Sequence, residues 1–256
     1  VGSTNPNKFK IPADLKTVKS VVASIWTGLA LKYDGTVVGW GLDDLLIDGA
    51  KTRKDVAVLA VGHHHAVIAG KNGMVEAWGA NTFGQTKVPA GLSGVVAVAA
   101  GEFHTVALTT AGKVVAWGRD DGGDVSQVSG LSGVAAIAAG GQHTAILKKD
   151  GSVQVFGKNA AMKAVPAGLL ATQVAVGKDH VLARKPDGTV AAWGGTFTNQ
   201  TAVPANLKDV VSVAAGNYFS LALKTDGTVV AWGNKANFPP ATVGYTKGVT
   251  AISAAV

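Results

Sequence analysis

Apolar and polar positions alternate along the chain in a unit that recurs. Its plainest copy runs over residues 95–132. Val95–Ala100 is rich in Val and Ala and predicts a buried strand. Gly101 turns the chain, residues 105–109 predict a second strand, and Ala111-Gly112 is a hairpin turn. Residues 114–117 predict a third strand, followed by a polar loop. In other copies a fourth element carries Val-Pro-Ala, at residues 88–90, 165–167 and 203–205. Proline cannot donate to a central ladder, so this element belongs at an edge.

The dipeptide Trp-Gly sets the register. It stands at Trp40, Trp78, Trp117, Trp193 and Trp232, and Phe156-Gly157 fills the one gap. Six copies of about 39 residues follow. No copy has an apolar period of 3.6, and Gly or Pro interrupts every ten residues or so, which excludes a helical repeat. Four short strands in a unit of this length are the blade of a β-propeller, in which stacked neighbours bury the faces that one blade cannot bury alone. The expected fold is therefore all-β: one propeller domain over residues 1–256, with four-stranded blades. The Trp belongs between blades, where its Nε1–H needs an acceptor. Residues 11–15 (IPADL) look like the end of a preceding blade, and residues 249–254 like the first strand of a following one. Six full repeats plus partial end repeats fit six blades with extra strands. They fit better a seventh, incomplete blade assembled from both ends, which would close the ring.

Composition narrows the class. Hydrophobic residues make up 47% and charged residues 15%, which describes a packed chain rather than a disordered one. The absence of Cys excludes disulfides, thiolate metal sites and Cys nucleophiles. No apolar run is long enough to predict a membrane span. The formal net charge of +7 speaks mainly to solubility and association.

The pattern V-A-A-G-x-x-H-T-V-A-L, then D-G-x-V-x-A-W-G, then G-Q-x-x-V-P resembles the regulator of chromosome condensation repeat. Residues 77–90, AWGANTFGQTKVPA, are especially similar to bacterial members. Among these they resemble the secreted propeller-type β-lactamase inhibitory group. The resemblance implies a propeller and a secreted or cell-surface location. It leaves function open, because the family includes exchange factors, light receptors, inhibitors and surface proteins.

Catalytic chemistry finds no constellation, and no enzyme activity or cofactor is expected. His65, His104, His143 and His180 share one repeat position, so they lie in different blades, and a structural hydrogen-bonding role is expected for them. His63-His64-His65 is the lone His cluster, but neighbours on a strand face opposite ways, which argues against a metal site. Asp34, Asp150, Asp187 and Asp226 precede Gly in hairpin turns. Asp43-Asp44 and Asp120-Asp121 read as solvated loop residues.

Binding is better supported, because two sites differ in every copy. One is a pair in the first turn: Ile25-Trp26, His63-His64, Glu102-Phe103, Gly141-Gln142, Lys178-Asp179 and Asn217-Tyr218. The other is the loop after Trp-Gly. Alternating strand direction puts both on one face of the ring and the Asp-Gly hairpins on the other. Aromatic residues in exposed turns are favoured interface anchors. The expected partner-binding residues are Trp26, His64, Phe83, Phe103, Gln142, Asp179, Phe197, Tyr218 and Phe238. The expected partner is another protein, bound by a recognition or inhibitor module. A glycan stacked on the same rings is the alternative, and nucleotide exchange or chromatin binding ranks below both. Lys32, Lys148, Lys149, Arg184, Lys185 and Lys224 sit near the opposite face, where nucleic acid or membrane binding would be tested first.

Overall fold

The computed structural model describes residues 10–13, 15–234 and 248–254. They form six antiparallel sheets of three strands, each sheet built from consecutive strands. The sheets are β1 (Val18–Ala23), β2 (Thr27–Lys32) and β3 (Val37–Gly41); β4 (Val56–Val61), β5 (His65–Gly70) and β6 (Val75–Gly79); and β7 (Val95–Ala100), β8 (His104–Thr109) and β9 (Val114–Gly118). The second half holds β10 (Val134–Gly140), β11 (His143–Lys148) and β12 (Val153–Gly157); β13 (Gln173–Val176), β14 (His180–Arg184) and β15 (Val190–Gly194); and β16 (Val210–Ala215), β17 (Phe219–Lys224) and β18 (Val229–Gly233). The first strands of neighbouring sheets pack against one another in sequence, from β1 through β16. With residues 252–254 they enclose a central cavity of about 350 Å³ lined mostly by Val and Ala.

Among the described residues no sheet has a fourth strand. Pro89, Pro166 and Pro204 each open a tight turn whose carbonyl accepts the N–H three residues on, from Leu92, Leu169 and Leu207. The segment spends its hydrogen bonds inside that turn, and its ladder contact in the fourth sheet is a lone bridge, Ser152 to Leu170. Its apolar side chains still cover the sheets: Leu207 is buried, and Val88, Leu92 and Val203 pack on the cores. Two loops carry short helices instead, α1 (Asp44–Ala50), which buries Leu46 and Ala50, and α2 (Ala160–Lys163), which buries Met162. Asp43 caps α1 by accepting the Leu46 N–H, so it is a structural residue rather than a solvated one.

The ends repeat the interior. Leu15 donates to the Pro12 carbonyl at 3.1 Å, the turn seen at the other Pro segments. Gly227 lies against Gly248 and Val249 as Gly35 lies against Asp55 and Val56. Residues 248–254 thus stand where a following inner strand would start, although no strand is assigned there.

Two hydrogen-bond systems join neighbouring sheets. The indole N–H groups of Trp78, Trp117 and Trp193 donate to the Leu46, Gln85 and Met162 carbonyls, each about 30 residues back. The second system is a latch. His65, His104 and His180 reach Thr105, Thr144 and Ser220 of the following sheet through Nε2, at 2.9, 2.9 and 2.8 Å. Each hydroxyl donates in turn to a loop carbonyl, of Gln85, Asp124 or Gln200. A hydroxyl has one proton, so the imidazole Nε2–H must be the donor. Burial pushes these imidazoles down, to about 4, 3 and 4, so they stay neutral.

Candidate functional site

The first-turn pair and the loop after Trp-Gly are tied together in the backbone. The loop N–H groups of Leu42, Ala80, Arg119, Gly195 and Asn234 donate to the carbonyls of Trp26, His64, Phe103, Asp179 and Tyr218. Both variable sites therefore share one face in these five blades. The glycine of Trp-Gly makes this approach possible. Gly118 has a φ of +108°, and a Cβ there would lie 2.5 Å from the Phe103 carbonyl oxygen. These bonds use main-chain atoms alone, so the side chains at the pair are free to vary.

The first members of the six pairs, Ile25, His63, Glu102, Gly141, Lys178 and Asn217, ring the mouth of the opening. The second members stand outside them. Phe103 and Phe83 meet at a tilt of 57° with ring centroids 5.0 Å apart, joining the first-turn site of one blade to the loop before it. The Arg119 guanidinium lies over both rings, at 4.7 and 5.5 Å, and is held by Asp121 at 2.5 Å. His63 meets Phe103 edge-on at 6.5 Å and packs on His64 at 4.3 Å. His64 Nδ1 contacts Asp43 at 3.1 Å. Partial burial and the adjacent His64 hold the His63 imidazole below its ordinary pKa.

The remaining expected residues fall on the same face but apart from this cluster. Trp26 is 43% exposed beside Ile25. Tyr218 is half-buried, with the Lys178 ammonium 5.5 Å from its ring centroid. The Gln142 amide donates to Glu102 at 3.3 Å, and Asp179 lines the same recess as Gln142. Phe197 is 90% exposed on the loop after β15. Phe238 lies outside the described residues. Arg119 was not singled out from the sequence, yet it organises the aromatic cluster. Its signal was register: the residue after Gly118 is bonded to Phe103 and cannot lie far from it.

The opposite face is occupied by its own hairpins. Asp34 accepts the backbone N–H and the hydroxyl of Thr36, and with Lys32 these hold its carboxyl well below the usual carboxylate range. Lys32 pairs with Asp34, Lys185 with Asp187 and Lys224 with Asp226. Lys148 donates to Ser132, and Arg184 to Val210 and Thr172. Among the described residues no three His, Cys, Asp or Glu are placed to hold a metal ion, and His65 is turned into its latch. No helix among them is long and apolar enough to cross a membrane.

Three segments of the chain, residues 95–123, 134–161 and 210–237, match the regulator of chromosome condensation (RCC1) repeat. No curated protein matches the chain in sequence. Among solved structures, Prp20p from Saccharomyces cerevisiae is similar, with 20% identity over 95% of this chain and 82% of that one and a TM-score of 0.77. The receptor kinase ectodomain CR4 from Physcomitrella patens is 21% identical, over 85% of this chain and 62% of that one, with a TM-score of 0.71. The chain thus spans less than two thirds of the moss ectodomain. The ectodomain of ACR4 from Arabidopsis thaliana is 21% identical over 89% of this chain and 84% of that one, with a TM-score of 0.70. The fold is an RCC1-like, all-β propeller.

Proposed function

We propose that this RCC1-like propeller is a non-catalytic binding module that grips another protein with its variable face. The observation that carries the reading is the cluster of Arg119, Phe83 and Phe103 beside the mouth, on a backbone frame indifferent to side chain. Aromatic rings and Arg are the residues in which interface energy concentrates. Similar folds support the class. Prp20p is described by its crystal structure and its binding properties to Gsp1p and histones, and yeast RCC1 (Prp20) was solved with Kap60 bound. A secreted or cell-surface inhibitor of bacterial type is the finer form of this proposal. In it residues 248–254 and the Pro12 turn belong to one seventh blade.

Affinity capture with three immobilised forms tests it: the wild type, a variable-face variant (Trp26→Ala, Phe103→Ala, Tyr218→Ala) and an opposite-face variant (Lys32→Ala, Lys148→Ala, Lys224→Ala). The expected result is a partner held by the wild type and the opposite-face variant and lost by the variable-face variant. Equal capture by all three forms, or loss confined to the opposite-face variant, would overturn the reading.

A further inference from the structure

The positive charge of the chain is concentrated on the face away from the variable turns. That face is built from the hairpins between second and third strands and from the segments that lead into the first strands. Main-chain bonds join the two sets from blade to blade. The Val56, Val95, Val134 and Val210 N–H groups donate to the Gly35, Gly73, Gly112 and Gly188 carbonyls. The hairpins, residues 32–36, 70–74, 109–113, 148–152, 184–189 and 224–228, hold eight Lys or Arg and four Asp. The leading segments 16–19, 54–55 and 208–209 add four Lys and two Asp. Twelve cations thus stand with six carboxylates, a surplus of six against a formal net charge of +7 for the whole chain.

The carboxylates leave several of these cations unmatched. Asp34, Asp55, Asp187 and Asp226 pair with Lys32, Lys71, Lys185 and Lys224. Asp150 accepts the N–H and the hydroxyl of Ser152, and Asp209 is the sixth. Lys54, Lys113, Lys149 and Lys208, from four different blades, are exposed and make no ion pair among the described residues. Large apolar side chains are exposed on the same face. Tyr33 is 72% exposed in the first hairpin and Met74 53% exposed in the second. Leu170 is 52% exposed and lies beside Gly151 of the fourth hairpin. Val96 and Val211 are exposed at the bulges where β7 and β16 begin.

A single exposed apolar residue is ordinary, but five among unpaired lysines on one face have the composition of a membrane-surface contact. Ammonium groups are drawn to an anionic leaflet, and apolar side chains enter the boundary between headgroups and acyl chains. Tyrosine, with an apolar ring and a polar tip, suits that boundary. The face is less suited to nucleic acid. Its one arginine, Arg184, is spent on the Val210 carbonyl and the Thr172 hydroxyl, and guanidinium forks are the favoured readers of phosphates and base edges.

We propose that this face docks onto an anionic lipid membrane. Tyr33, Met74 and Leu170 enter the interface, and Lys54, Lys113, Lys149 and Lys208 meet the headgroups. Docked this way, the ring presents its variable face away from the bilayer. The proposal concerns the other face from the protein-binding reading and stands or falls separately from it.

The test is co-sedimentation of the intact chain with vesicles of phosphatidylcholine alone or of phosphatidylcholine mixed with phosphatidylserine. The expected result is binding to the mixed vesicles only, weakened by added salt. Replacing Lys54, Lys113, Lys149 and Lys208 together by Gln weakens it at least about tenfold. Tyr33→Ser, Met74→Ser and Leu170→Ser together, which leave the charge unchanged, also weaken it at least about tenfold. All seven side chains are exposed, so the urea midpoints of both variants stay at the wild-type value. The variable-face variant (Trp26→Ala, Phe103→Ala, Tyr218→Ala) binds the mixed vesicles as the wild type does. Equal binding to both kinds of vesicle, binding to neither, or undiminished binding by the serine variant would overturn the proposal. A mixed-sequence DNA duplex that displaces the vesicles and binds the serine variant as tightly as the wild type would overturn it in favour of nucleic acid. Loss of vesicle binding in the variable-face variant would overturn the choice of face.

Discussion

Thr105→Val isolates one latch. Thr105 and His65 are both fully buried, and the hydroxyl takes the His65 Nε2–H at 2.9 Å while donating to the Gln85 carbonyl at 2.8 Å. Valine replaces the oxygen by a methyl group of similar size, so no large cavity is left. The Gln85 carbonyl keeps a donor, because Trp117 Nε1–H still reaches it at 2.9 Å. The His65 ring loses its one partner, since Nδ1 already has none. A buried donor left unsatisfied costs about 1–3 kcal/mol, so the substitution should destabilise by about 2 kcal/mol. In urea this is a drop in midpoint of roughly 0.7 M at a slope of about 3 kcal/mol/M, with the slope unchanged. In a His65→Leu background the same Thr105→Val change should cost less than about 1 kcal/mol, because no donor remains to be stranded. The reasoning fails if Thr105→Val shifts stability by less than about 0.5 kcal/mol with the His65 ring in its original position. It fails equally if the cost is the same in both backgrounds.

Acid should weaken the fold before it affects a typical surface carboxylate. His65, His104, His143 and His180 are depressed to between about 3 and about 4 by burial, whereas the unfolded chain titrates near 6.5. Their stabilising effect is complete above about 6.5 and is lost as pH falls toward 4. Asp124, raised to about 6 by burial beside His104, runs the other way: its contribution is complete below about 3.8 and lost as pH rises through about 6. Four groups outweigh one, so the urea midpoint at pH 5 should lie below that at pH 7.5, and equal midpoints would contradict this. Gly118→Ala should cost more than about 1 kcal/mol in thermal or urea unfolding, since it meets both a left-handed φ and the Phe103 carbonyl. Arg119→Ala should leave the unfolding midpoint within about 0.5 kcal/mol yet weaken a captured partner at least about tenfold by surface plasmon resonance, the loss typical of an interface anchor.

The repeat was legible because its signals are covalent and periodic. Trp-Gly, the latch histidines and Asp-Gly recur at fixed spacing, and each marks a turn or a strand end that the structure holds. The fourth element was misread because Val-Pro-Ala has strand composition in a register that promised a strand. The turn closed on the Pro carbonyl outcompeted the edge ladder, and apolar cover was kept without strand pairing. α1 is not foreseen because Asp43-Asp44 read as solvated loop residues, although Asp43 is a capping residue one position ahead of Asp44 and the apolar run Leu45-Leu46-Ile47. The variable face was legible as a set of positions, since main-chain bonds dictate where they lie. Which members touch was not, because Arg119 over Phe83 and Phe103 depends on rotamers across two blades.

The latch explains why departures from the repeat matter more than the repeat itself. Each latched His needs a hydroxyl one blade on, and each hydroxyl returns its proton to a loop carbonyl beside the Trp-Gly turn. The bond therefore couples the spacing of two blades to the position of the variable turn between them. Where the pair is intact, the turn glycine sits against the imidazole and the first turn is closed: a Cβ at Gly101 would lie 2.5 Å from His104 Nδ1. At Val181 the pair is broken. His143 is released from its turn, the neighbouring position has become Gly141, and the wall at that point is polar and recessed rather than packed. Two changes that would each be a defect in a scaffold here open onto one space, on the face where the copies differ. Restoring a hydroxyl by Val181→Thr should return His143 to a latch with the introduced hydroxyl and raise the urea midpoint. An unchanged urea midpoint, with His143 still bonded to the Asn159 N–H, would refute this.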